Sequence, residues 1–400
     1  GLMRVAYVCS DPGVPVYGTK GCSVHVQAIL REMLRRGFEV DLFAARVDAE
    51  APADLQGVRL TKVIAPQTAA KVGREQALVA ANRPLRLQLE HAGPYDLLYE
   101  RHALWSHAAQ QYARESETPS ILDVNAPILV EEAAHRRLDD AALAKEMVRE
   151  AFQLANLRLA VSSPVAAHIA EISGETDRIL VQPNGVDASH FKPVRRAVLE
   201  RWARRDPSHR EPAPVIGFVG TLRPWHGMSI LGSAFRRILD ACPTAKLLIV
   251  GDGPAKAELL EALGDASSAT TITGKVPHRE VPQWLAQVDV AVAPYPRLEG
   301  FYFSPLKVFE YMACGLPIVA SGIGPIEEAL EHGVTGCLVP PGDAEAIANA
   351  VMQLLREPGS AVRMGSRAAT EAAGRRSWST VLDNALAGLN ETSSAVRRSA

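Results

Sequence analysis

The chain has 400 residues and a formal net charge of −2 at pH 7. That length suits two or three domains with a substantial core, and the near-neutral balance argues against nucleic acid as a partner. The five cysteines, Cys9, Cys22, Cys242, Cys314 and Cys337, are scattered and show no CxxC spacing, so neither a zinc site nor a disulfide framework is expected and a reducing compartment fits.

The first ten residues run straight into a strand-like stretch at 4–10 (RVAYVCS), which predicts no signal peptide. A loop with Gly13, Gly18 and Gly21 follows. Then SVHVQAILREMLRRG (23–37) spaces Val26, Ile29, Leu30, Met33 and Leu34 as one helical face, with Gly37 as C-cap. FEVDLFAA, YDLLYE, PSILDV, LRLAVS and RILVQP read as further strands separated by helical stretches. Residues 190–214 are polar, charged and proline-bearing, and are expected to form a linker or irregular excursion. Strands then resume with VIGFVG (215–220), AKLLIVG, ATTITG, VDVAVAP, LPIVAS and GCLVPP.

The alternation predicts an α/β protein of two doubly wound, Rossmann-like domains whose strand-end loops face a central cleft, where such folds bind ligands. The expected divisions are 1–192, a linker at 193–214, a second domain at 215–374, and a C-terminal helix within 375–400 that packs back on the first domain. No apolar run reaches the roughly 18 residues a membrane span needs, so a cytoplasmic protein without stable membrane insertion is expected. The weakly amphipathic EMVREAFQLANLRLA leaves peripheral association open.

Three stretches carry candidate chemistry. In FYFSPLKVFEYMACG (301–315), Ser304 and Pro305 read as N-cap and first helical residue, which leaves the N–H groups of Leu306 and Lys307 in a first turn suited to an anion. Glu310 lies one turn further on, among residues suited to burial. Either it accepts the paired hydroxyls of a ribose, or it points to solvent on a half-exposed helix. In GFVGTLRPWHG (217–227), a strand enters a loop bounded by Gly220 and Gly227. Arg223 is there placed to clamp a pyrophosphate and His226 to donate to it, unless both are surface residues beside a packing Trp225. In GTKGCSVHV (18–26), Gly21 before a helix permits close ligand approach, but the spacing is not GxGxxG, which demotes a nicotinamide enzyme.

VQPNGVD, VGTLRPWHG, LLIVGDGP, ITGKV, SPLKVFEYMACGLPIVAS and GVTGCLVPPGD occur in that order. In this the chain resembles the retaining glycosyltransferases of the GT-B fold, in the GT4-like group. The resemblance implies transfer of one sugar from a nucleotide-diphosphate-sugar co-substrate, with no metal or other cofactor, to a polar acceptor such as an aminocyclitol, an antibiotic precursor or a glycan. It implies that Glu310 holds the ribose, Ser304–Lys307 the diphosphate, Val276 the base through its backbone, and Gly21 the phosphate and donor sugar.

The chain also departs from that pattern. The first of two expected glutamates is Tyr302, with Glu299 the nearest acid. The usual Arg and Lys of the phosphate loop fall on Thr221 and His226, so that Arg223 supplies the charge. A first-domain His that contacts the donor sugar falls on Asn125. On the acceptor side the expected wall comprises Glu100, Arg101 and His102, from YERHALWSHAAQQY, and Glu131, from NAPILVEEAAHRRLDD. A non-catalytic sugar-nucleotide-binding partner and a GT-B nucleotide-sugar epimerase remain alternative readings.

Overall fold

The structure is a computed structural model that describes residues 2–64, 73–135, 138–205 and 212–399. It comprises two compact units, Gly1–Asn184 with Trp378–Ala400, and Gly185–Ser377.

The first unit is built on seven strands: β1 (Arg4–Cys9), β2 (Glu39–Ala44), β3 (Arg59–Lys62), β4 (Leu97–Arg101), β5 (Ser120–Val124), β6 (Leu157–Ala160) and β7 (Ile179–Val181). Their order is β3-β2-β1-β4-β5-β6-β7, with every pair parallel. The second has six: β8 (Val215–Val219), β9 (Lys246–Val250), β10 (Thr270–Ile272), β11 (Val290–Ala293), β12 (Ile318–Ser321) and β13 (Cys337–Val339). They run β10-β9-β8-β11-β12-β13, again all parallel. Both sheets are doubly wound α/β sheets. In each, strand order reverses beside the first strand, and ligands of such sheets bind at the carboxyl ends next to that reversal.

The central strands are apolar on both faces because helices cover both. β11 and β12 are buried at every residue. Each strand expected from sequence is present. β3 (RLTK) was not anticipated: it is a largely exposed edge strand with no apolar alternation to betray it.

Residues 190–214 correct the expectation of an irregular linker. Ala188–Ala203 is a helix, with Phe191, Val194, Val198 and Trp202 buried in the second unit's core. The Trp202 indole N–H donates to the Asp289 carbonyl at 3.1 Å, and Arg201 meets the Asp289 carboxylate at 2.9 Å. The spacing of those four apolar residues was legible as a helical face; the charges on the opposite face and Pro193 obscured it. Residues 206–211 of the expected linker lie outside the described residues.

The helix Trp378–Ser399 closes the first unit. Trp378, Val381, Leu382, Ala385 and Leu389 enter the same core as β1 and the helix Gly21–Arg35. Arg36 meets Asp383 at 2.7 Å, and the Trp378 ring lies 5.0 Å from that of His25. Leu382 is fully buried, so Leu382→Ala is expected to destabilise the first unit by about 2–5 kcal/mol. A urea titration in the near-ultraviolet measures this, and an unchanged midpoint would show that the helix is dispensable.

Candidate functional site: an enclosed amine and a paired carboxylate in the second unit

The loops after β8, β10 and β11 and the helix Leu306–Ala313 converge at the strand reversal of the second sheet. Tyr311 holds that helix in place: its buried hydroxyl accepts from the Val219 N–H at 3.1 Å and donates to the Val292 carbonyl at 3.0 Å. The helix is thereby tied to the last turns of both β8 and β11. Val308, Phe309, Met312 and Ala313 bury its remaining apolar face.

The helix begins one residue later than the sequence suggested. Pro305 is the N-cap, Leu306 the first helical residue, and no side chain caps the end. The Ser304 carbonyl accepts the Leu306 N–H at 2.9 Å, so Ser304 contributes through its backbone to the turn that enters the helix. Lys307 and Val308 follow in the first turn, where an α-helix supplies no acceptor for its own N–H groups.

Lys307 departs most from the sequence reading. Its stem is partly exposed, but Nζ is enclosed and has no hydrogen-bond partner among the described residues. Nζ lies 4.0 Å from the Phe218 ring centroid and 5.4 Å from that of Tyr295. Burial pushes the amine down to about 7, with Glu310 partly opposing it. Cation–π attraction offsets some of the lost hydration. Unfolded, the lysine keeps its proton to about pH 10. Between the two values the unfolded chain binds more protons, so stability of this unit rises with pH over that window.

Gly220 makes room for the ammonium. Its φ is +143°, and a Cβ there would lie 2.9 Å from Lys307 Nζ. At the far end of the loop Gly227 is left-handed, with φ +76°, and a Cβ would sit 1.8 Å from the Pro294 carbonyl oxygen. The β8 loop therefore packs directly on the β11 loop.

Between these glycines the guanidinium of exposed Arg223 lies over the Trp225 ring at 5.7 Å. The His226 ring sits against Phe218, Trp225 and Tyr295, and its Nδ1 is 2.5 Å from the Thr221 carbonyl oxygen. A carbonyl only accepts, so Nδ1 carries the proton and the neutral ring presents Nε2 as an acceptor. Burial, and then the Lys307 charge, push His226 down to about 3. In the ligand-free protein His226 Nε2 is thus an acceptor, whereas the expected role has it donate to a phosphate. Nitrogen-15 NMR of the imidazoles at pH 7 is expected to show His226 Nε2 unprotonated in the ligand-free protein. A protonated Nε2 would contradict this tautomer.

Glu310 is largely enclosed and paired. Its side chain is 18% exposed, and Oε1 accepts from His278 Nε2 at 2.9 Å. The hydrogen bond to Glu310 raises the His278 pKa, against the effect of burial. Val276 lies two residues earlier, half-buried in the loop after β10. Tyr302 is half-buried and stacks on Phe303 at 4.3 Å, while Glu299 is exposed in the turn before it. Rings from Phe303 through Phe301 to Tyr295 and His226 form a continuous aromatic wall.

His278 and Tyr295 were not anticipated. His278 stands 32 residues from Glu310, and no local spacing signals such a pair.

The expected acceptor-side residues diverge. Glu100 is fully buried in the first unit, where it accepts from Gln110 at 3.1 Å and Ser106 at 3.3 Å, and burial pushes its carboxyl up to about 7. His102 is buried 5.1 Å from the Phe152 ring, and burial pushes it down to about 3. Both side chains belong to the interior, because β4 and the turn after it are covered on both faces. Arg101 is half-buried and donates to His25 Nδ1 at 3.0 Å. His25 Nε2 in turn lies 3.2 Å from buried Asp123, which also accepts from the Tyr99 hydroxyl at 2.9 Å and from Asn125 at 3.2 Å. Burial pushes Asp123 up, but His25 and Arg101 outweigh it and hold the carboxyl low. Gly21 is exposed at the start of its helix, and Glu131 is partly exposed on the helix Ile128–His135.

Two parallel doubly wound sheets, with a cationic cradle at one strand reversal, define an α/β protein of the GT-B type. The Glycosyltransferase Family 4 model matches residues 19–190, and the Glycosyl transferases group 1 model matches residues 213–357. The chain belongs to this family of glycosyltransferases. It is 27% identical over 420 residues to a D-inositol 3-phosphate glycosyltransferase of Kribbella flavida, covering 96% of this chain and 95% of that one. It is 26% identical over 319 residues to a 2-deoxystreptamine glucosyltransferase of Streptomyces kanamyceticus, covering 75% and 80%. Among solved structures, Anabaena HepE in complex with UDP shares its fold with a TM-score of 0.65 at 17% identity, covering 97% and 100% of the two chains. Sucrose-phosphate synthase from Thermosynechococcus elongatus does so with a TM-score of 0.68 at 20% identity, with both chains fully covered. Among the described residues no helix is long and apolar enough to cross a membrane.

Proposed function

We propose that the protein is a retaining glycosyltransferase that moves a sugar from a nucleotide-diphosphate-sugar to a hydroxyl of a polar acceptor without a metal. One observation carries this reading: an enclosed, unpartnered ammonium at a helix start, with a carboxylate one turn further along the same helix. The amine suits a diphosphate oxygen, and the first-turn N–H groups and helix dipole add to it. At 1.5 Å per residue, Glu310 stands about 6 Å beyond Leu306, a distance suited to a ribose whose phosphate rests on the helix start. Val276 lies on the loop that would meet the base.

In the reaction the bond from the anomeric carbon to the diphosphate oxygen breaks as the bond to the acceptor oxygen forms. The acceptor's proton passes to a diphosphate oxygen on the same face, so no protein base is required. Lys307, Arg223 and the helix start take up the charge that develops on the leaving group, the kind of stabilisation that usually contributes most to such rates. His226 Nε2, an acceptor, suits a sugar hydroxyl. The relatives named for inositol 3-phosphate and 2-deoxystreptamine support a cyclitol-like acceptor, and the UDP complex of HepE supports UDP as the first nucleotide to test.

Arg223→Ala is expected to weaken UDP binding by about 1.5–3 kcal/mol in calorimetry, the scale of a hydrogen bond to a charged group. Equal affinity would remove Arg223 from the phosphate site. Slow hydrolysis of UDP-α-glucose without acceptor, followed by proton NMR, should release α-glucose first. Initial β-glucose would contradict retention.

A further inference from the structure

The pairing of Glu310 in the ligand-free protein bears on how a ribose would be read. Oε1 is occupied by His278 Nε2 at 2.9 Å, and with the side chain 18% exposed it is the second oxygen, Oε2, that is left to take a further donor. A carboxylate only accepts, so His278 Nε2 carries a proton in either charge state of the ring.

The His278 ring is held by packing independent of Glu310. It stacks on His190 with centroids 5.4 Å apart and planes 15° from parallel. It also meets Phe191 edge-on at 6.3 Å. Both partners come from the helix Ala188–Ala203, which Phe191, Val194, Val198 and Trp202 anchor in the core. With 46% of the His278 side chain exposed, these ring contacts orient the donor without enclosing it; the donor engages one carboxylate oxygen and leaves the other to a ligand.

We propose that His278 is a positioning residue for the nucleotide: it holds Glu310 through Oε1 and so presents Oε2 to a ribose hydroxyl. The inference rests on the reading of Glu310 as the ribose acceptor. On this account His278 stays in place when nucleotide binds, and the ribose adds to the pair without displacing it. His278 thus determines how strongly the site distinguishes ribose from a deoxyribose.

The test measures dissociation constants of UDP, 2′-deoxy-UDP and 3′-deoxy-UDP by calorimetry on the full chain. In the parent, removing the hydroxyl that Oε2 receives should weaken binding about tenfold, the scale of one hydrogen bond to a charged group. Glu310→Gln should reduce that penalty to about threefold or less. His278→Phe keeps a ring on His190 but removes the donor, and should reduce the penalty similarly. His278→Gln, whose amide nitrogen reaches the position of Nε2, should restore it. A variant that only disturbed packing would weaken all three ligands alike and leave the penalty unchanged.

If Glu310→Gln abolishes the penalty and His278→Phe keeps it whole, the ribose reading stands and the role of His278 is overturned. If Glu310→Gln keeps the penalty, the ribose reading falls and the inference falls with it. Failure of the parent to bind UDP at millimolar concentration would overturn both. A crystal structure with UDP in which the His278–Glu310 contact has opened would also overturn the positioning role.

Discussion

The second unit is organised around an enclosed amine that it leaves unpaired. Lys307 Nζ is enclosed between Phe218 and Tyr295, beneath a glycine that leaves it room, and no acceptor among the described residues meets it. An unpaired buried cation is costly, and a fold that only needed stability would replace it with an apolar residue of similar size. Retaining it makes sense when an anion completes the site. The surroundings then follow: Gly220 cannot carry a side chain, His226 is kept neutral, and Glu310 stands close enough to support the ammonium without reaching it.

The sheet places these groups together because its strand order reverses between β8 and β11. The loops after these two strands leave adjacent carboxyl ends and pack on one another, and Tyr311 ties the helix Leu306–Ala313 to both strands at once. The contact of Gly227 with Pro294 sets the depth of the loop that carries Arg223 and His226. The first unit uses its own reversal differently, packing Asp123, His25, Tyr99 and Arg101 into a hydrogen-bonded cluster. Family membership establishes the class of enzyme.

Much of this was legible in the residues. β-branched runs followed by helical periodicity pointed to two parallel sheets, since strands buried on both faces carry that pattern. The motif around Glu310 indicated a helix start with a carboxylate one turn on. What escaped was an edge strand, a masked helical face or a contact at long range. RLTK at β3 has too little apolar content to read as a strand. The helix Ala188–Ala203 hid four buried residues behind arginines and a proline. Whether Glu100 or His102 faces inward depends on which helices cover β4, and residue type alone does not say. His226 was read as a donor because histidine is amphoteric; only the nearby Thr221 carbonyl fixes its tautomer. His278 lacked any local cue, because its partners come from two distant helices.

The enclosed, unpartnered Lys307 amine is set to receive an anionic ligand. At pH 8 an amine with a pKa of about 7 is mostly neutral, and a bound diphosphate would restore its proton. Calorimetry of UDP binding at pH 8, in two buffers of different ionisation enthalpy, counts the protons exchanged. Uptake of about one proton per UDP bound is expected for the parent protein and none for Lys307→Met, because pairing with an anion restores the charged form. Binding by the parent with no proton uptake would show that the diphosphate does not rest on Lys307.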